Sequence, residues 1–295
     1  MVINSLILRG LVLAKDLPRP CRTLLMNMAC CDCLSAISMI VNGVLLIRPD
    51  STSIGQCTAG MGIQASLAFV SIFLSTLFPV NAYLSQLIPF QYRGVMGPLK
   101  VAFVSFLVWT VSVVLVSIAV MGQPSLPPFQ ACDLLLVYTS VPLRAFSGIY
   151  LICMVIMMSV FWKLYALARS HICKIVSDTH ADQKCAINLS LQAKALKTVS
   201  LIVASFVIMY TPLVIYLLIV SFTDQEELLT VGHFLLKLSL LTLFLAKSVI
   251  NPVVYAWKIP FVREVTHKLL RTGHRTVVEQ TASFVTEKTT QGGRH

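Results

Sequence analysis

Between Cys57 and Pro89 the chain carries no charged side chain, and none follows until Arg93. A helix needs roughly 20 apolar residues to cross the hydrocarbon layer of a bilayer, so this stretch spans it with length to spare for tilt. Serines and glycines inside it let neighbouring backbones come close where lipid offers no hydrophobic driving force. That predicts a central helix, not a peripheral one. A cysteine marks one end and the segment Tyr83-Leu-Ser-Gln-Leu-Ile-Pro-Phe-Gln-Tyr92 the other, which assigns the two ends to different compartments.

Composition agrees with a membrane class. Of the 295 residues only 12% are charged and 57% are hydrophobic, with a mean hydropathy of +0.82; soluble domains carry about 25% charged residues. The net charge of +11 would suit a nucleic-acid partner if it formed one patch, but the basic residues fall between apolar spans, the pattern of the positive-inside rule. Nucleic acid is therefore set aside. Cys30, Cys31 and Cys33 lie within an apolar span and read as packing residues. Cys57 and Cys132, at a span end and in a loop on the less basic side, are the disulfide candidates.

Seven apolar spans follow between charge clusters: Met1 to Ala14, Thr23 to Ile47, Cys57 to Ile88, Val101 to Met121, Ala145 to Ala168, Thr198 to Phe222 and Phe234 to Trp257. The first is too short to cross alone, and with Arg9 inside it and no cleavage pattern it is a poor signal peptide. It reads as the inner half of a first helix. Basic residues gather on one side, at Lys15, Arg19 and Arg22, at Arg93 and Lys100, from Lys163 to Lys197, and from Lys258 to Arg271. That side is the cytoplasm. The opposite loops hold Asp50, Asp133, Asp224, Glu226 and Glu227, so the amino terminus faces outward. The expected fold is all-α: a seven-helix transmembrane domain over residues 1–270, ending in an amphipathic surface helix from Lys258 to Leu270, then a disordered cytoplasmic tail over 271–295.

Asn251-Pro252-Val253-Val254-Tyr255 ends the seventh span, Asp32 sits within Met28-Ala29-Cys30-Cys31-Asp32, and Asn4 precedes Asp32 by 28 residues. Trp109 falls in the fourth span and Phe206-Val-Ile-Met-Tyr210-Thr-Pro212 in the sixth. In this combination and register the chain resembles the rhodopsin-like (class A) G-protein-coupled receptors. The resemblance implies a disulfide between Cys57 and Cys132. It also implies an activation switch formed by Asn81, Ala82, Tyr83, Phe206, Tyr210, Pro212, Asn251, Pro252 and Tyr255. Pro212 and Pro252 each remove a backbone donor inside a helix and mark places where it can bend; with the flanking motifs they are expected to act as hinges.

The chain departs from the family in several places. Where the family has Asp-Arg-Tyr, this sequence has Asn81-Ala82-Tyr83, at the right distance of 25 residues from Cys57 to Ala82. The arginine is gone. The sixth-helix position that often supplies its acidic partner is Gln192, Tyr210 replaces the usual tryptophan, and no proline occurs between Pro142 and Pro212.

Two functional readings follow. One is a receptor that binds an outer or membrane-borne ligand and signals to a heterotrimeric G protein or another cytoplasmic transducer. The other is a non-signalling scaffold or decoy partner of another receptor, favoured by Ala82 and Gln192. A transporter would show internal repeats, and this sequence has none. The scattered histidines form no catalytic constellation and no metal or cofactor is expected. The sequon at Asn188 falls in the expected third cytoplasmic loop, out of reach of glycosylation.

By the family's register the ligand cavity is lined by Gln64, Ala68, Tyr210, Leu213, Leu217 and Leu241. Gln64 stands where amine receptors place an aspartate, so the expected ligand is lipophilic or weakly polar. A second interior site gathers Asp32, Ser71, Lys247, Ser248 and Asn251, where the family commonly holds a sodium ion. Lys247, one turn before Asn251, is expected to pair directly with Asp32 and displace that ion, since a bonded buried pair costs much less than a lone charge.

Overall fold

The computed structural model describes residues 2–13, 18–47, 53–121, 137–177, 183–223, 231–258 and 263–264. Within them the chain forms α1 (Val2–Leu13), α2 (Arg19–Ile47), α3 (Ile54–Leu87), the four-residue α4 (Tyr92–Val95), α5 (Pro98–Met121), α6 (Ser140–Ser177), α7 (Gln183–Val220) and α8 (Val231–Lys258). Six of these, all but α1 and α4, are long and apolar enough to cross a membrane. Within the described residues each of the seven expected spans is helical apart from at most two residues at an end.

The charge-free stretch becomes α3, and its start is fixed locally. Ser53 and Gln56 form a reciprocal capping box: Gln56 N donates to Ser53 Oγ at 3.2 Å and Ser53 N donates to Gln56 Oε1 at 2.9 Å. Two backbone donors that the first helical turn leaves open are thereby satisfied. As its small residues predict, α3 is central. It packs against α2, α5, α6 and α7, and its spanning segment is the most buried of the six. Val70, Ile72 and Leu74 have no exposed surface. They join Leu25, Tyr150 and Phe206 in the main core, while a second cluster around Cys57, Tyr138, Leu213 and Leu217 lies toward the Cys57 end.

Polar groups tie the helices where apolar packing alone would let them slide. Trp109 Nε1 on α5 donates to Asn27 Oδ1 on α2 at 3.0 Å, and Asn42 Nδ2 on α2 donates to the Gly60 carbonyl on α3 at 3.2 Å. Asn4 Nδ2 on α1 donates to the Ser248 carbonyl on α8 at 2.9 Å. Pro79, Pro212 and Pro252 all lie inside continuous helices.

One boundary is corrected. The long loop expected between Ala168 and Thr198 is largely helix, because α6 continues to Ser177 and α7 begins at Gln183. Asn188 and Gln192 therefore lie in α7. The charges there mark where the apolar layer stops, and a helix has no need to stop with it. The expected surface helix lies outside the described residues except for Lys258, the last residue of α8, and Arg263 and Glu264; the tail lies outside them as well.

Candidate functional site

A cavity of about 150 Å³ opens among α3, α5, α6, α7 and α8 toward the Cys57 end. Helical periodicity explains who lines it. Gln64 and Ala68 stand one turn apart on α3, Leu213 and Leu217 one turn apart on α7, and Leu241 and Phe244 three residues apart on α8, so each pair shares a face that turns inward. Phe69 and Phe146 meet edge to face beside them, with centroids 5.0 Å apart. None of the lining residues is charged.

Five of the six residues expected there are present. Tyr210 is not. It lies below, 2% exposed, with Phe244 against its ring at 4.8 Å, so Phe244 separates it from the cavity. Tyr210 belongs to an aromatic stack with Phe206 at 4.7 Å and Tyr150 at 5.9 Å, and the Tyr150 hydroxyl shares a hydrogen bond of 2.7 Å with Thr211.

Tyr138 also lines the cavity, and sequence reasoning missed it because it precedes α6 in a segment without helical periodicity. Its hydroxyl is buried, and burial pushes its pKa up to about 12, so it stays a neutral phenol. Among the described residues neither the Tyr138 hydroxyl nor Gln64 Oε1, both buried, has a hydrogen-bond partner. Cys57, at the same end, is disulfide-bonded; Cys132, its expected partner, lies outside the described residues.

Beneath the aromatic stack is the polar interior. Asp32 and Lys247 are the two charged side chains buried among the described residues. The expected direct contact between them does not form. The Lys247 ammonium donates to Ser71 Oγ and to the Tyr210 hydroxyl at 3.2 Å, and sits 4.9 Å from the Tyr210 ring centroid. Asp32 Oδ1 instead accepts from Ser248 Oγ at 3.3 Å, and Asp32 Oδ2 has no hydrogen-bond partner among the described residues. The reason is directional: the lysine stem carries its charge toward α3 and α7, whereas Asp32 is on α2. The two charges interact through space without bonding. These residues do not suit a bound sodium ion, because an ammonium already occupies Ser71, one of the expected oxygen donors. Asn251 stands apart from this pair and accepts from Ser205 Oγ on α7 at 3.1 Å.

At the opposite end of α3 the Tyr92 hydroxyl donates to Asn81 Oδ1 at 2.8 Å. Burial first, then Cys21, push the Tyr92 pKa upward, and the bond to Asn81 opposes them. Ala82 is half-buried and brings no polar side-chain atom; its carbonyl accepts from Ser85 Oγ at 2.7 Å. Pro252 is buried, and Tyr255 follows in the same helix. Residues 3–255, from the start of α1 to Tyr255, match the family model described as 7 transmembrane receptor (rhodopsin family).

Proposed function

The chain belongs to the rhodopsin family of seven-transmembrane receptors, and from that membership we propose that it binds a small lipophilic or weakly polar ligand in the cavity beside Gln64 and Leu217. The Cys57 end then faces the cell exterior at the plasma membrane, and the Asn81 end and the tail face the cytoplasm, a reading supported by the distribution of lysine and arginine. The observation that carries this reading is the cavity's uncharged, mostly apolar lining, which holds an apolar molecule well and leaves a charged one without a counter-ion. Leu213 and Leu217 share α7 with Pro212 and Tyr210, so a ligand that pushes on those leucines acts on the helix that carries the hinge.

The test uses the full chain in lipid nanodiscs, with melting temperature followed against neutral apolar compounds and against charged amines. Neutral compounds should raise the melting temperature of the native protein but not that of Ala68→Phe, whose ring fills the cavity. Stabilisation by amines together with none by neutral compounds would overturn the reading.

The scaffold or decoy reading keeps two observations in its favour. Ala82 leaves α3 without the arginine that reaches a G protein in the family, and Asn81 is engaged by Tyr92.

A further inference from the structure

Two polar atoms in an otherwise greasy cavity are left without hydrogen-bond partners among the described residues. Gln64 Oε1 is an acceptor, and the Tyr138 hydroxyl, on a residue only 6% exposed, can donate or accept. Buried polar groups in folded proteins are paired as a rule, and each exception calls for an explanation. Of the unpaired buried polar atoms among the described residues, these two line the same cavity. An apolar cavity of about this size holds a molecule the size of benzene, so the part of the occupant seated in it has roughly six to ten non-hydrogen atoms. Phe69, Phe146 and Phe244 present rings to it.

We propose that the ligand is a compact neutral alcohol or phenol whose hydroxyl donates to Gln64 Oε1, with the Tyr138 hydroxyl meeting an oxygen of the same molecule. This rests on the cavity being the ligand site. The chemistry selects against each neighbouring class. A hydrocarbon leaves both protein groups unpaired. A ketone, aldehyde or ether brings no donor for Gln64 Oε1. A carboxylate or an ammonium finds no opposite charge among the lining residues. A site built to bond a hydroxyl rejects the analogue lacking it far more strongly than a greasy pocket rejects an extra methylene.

The experiment titrates benzyl alcohol, toluene, benzaldehyde and benzylamine into the full chain in nanodiscs. Binding is read from the shift in melting temperature over that of Ala68→Phe, which removes effects of partitioning into the lipid. Benzyl alcohol should bind at least about tenfold more tightly than toluene or benzaldehyde, a ratio equivalent to about 1.4 kcal/mol. Gln64→Leu should erase that ratio while keeping toluene binding, and Tyr138→Phe should reduce it. Equal binding of toluene and benzyl alcohol, or a ratio unchanged in Gln64→Leu, would sink the hydroxyl assignment and leave the apolar ligand site standing. No binding by any of the four beyond that of Ala68→Phe would remove the ligand site itself.

Discussion

Lys247 departs furthest from what a membrane interior tolerates, and its neighbours show how it is held. Its ammonium bonds two hydroxyl oxygens and lies against a ring face, an arrangement that offsets desolvation without a direct partner charge. Asp32 still depends on that positive charge, since it is the other buried charge among the described residues. Lys247→Met should therefore cost about 3 kcal/mol by leaving a buried carboxylate uncompensated. Adding Asp32→Asn to it should recover much of the loss. Chemical denaturation of the two single variants and the double variant measures the coupling; strictly additive losses would show that the charges do not depend on each other. The melting temperature should also be the same in sodium chloride and choline chloride at equal ionic strength, and a sodium-specific rise would contradict the tethered ammonium. Spacing along α8 was enough to bring Lys247 to the right interior region. It did not reveal which oxygen the ammonium would choose, because that depends on how α3 and α7 are rotated, and one helix's periodicity carries no information about the rotation of another.

At the scale of elements, the joints between helices rest on small residues. A Cβ added to Gly60 would run into Asn42 Oδ1, the side chain whose Nδ2 bonds the Gly60 carbonyl. Gly60→Ala should therefore destabilise the native protein by about 1 kcal/mol, the net value of a lost hydrogen bond. With Asn42→Ala already in place the same change should stabilise it by about 1 kcal/mol, through alanine's better helix propensity. Melting curves of the four combinations test this reversal of sign; the same sign in both backgrounds would show that α2 and α3 do not meet there. The spans themselves were legible because charge is so costly in lipid that long apolar runs with at most two charged residues stand out from the charge clusters between them. The ends of α6 and α7 were not, since beyond the bilayer charged residues are ordinary helix formers. Tyr138 was equally hidden, sitting outside any periodic segment.

Across the whole molecule, the cavity at one end and the Asn81 end are joined by α3 and α7. Installing Asn81→Asp together with Ala82→Arg should raise basal or ligand-driven G-protein signalling several-fold in cells, read by a second-messenger assay. Full signalling by the native sequence would instead remove the main support for the scaffold alternative. The position of Pro212 in α7 sets the mechanics of any such transmission. At about 1.5 Å per residue, Leu217 lies about 7.5 Å beyond the proline on the cavity side, while the helix extends about 43 Å the other way to Gln183. With the proline as fulcrum, the rod has a short arm touching the cavity and a long arm more than five times its length. Were the helix to pivot there without bending, a sideways shift of ~0.5 Å at Leu217 would sweep the Gln183 end through ~3 Å; every degree of bending at the proline takes away from that travel, so the stiffness of α7 at Pro212 decides how much of a ligand's push reaches the far end.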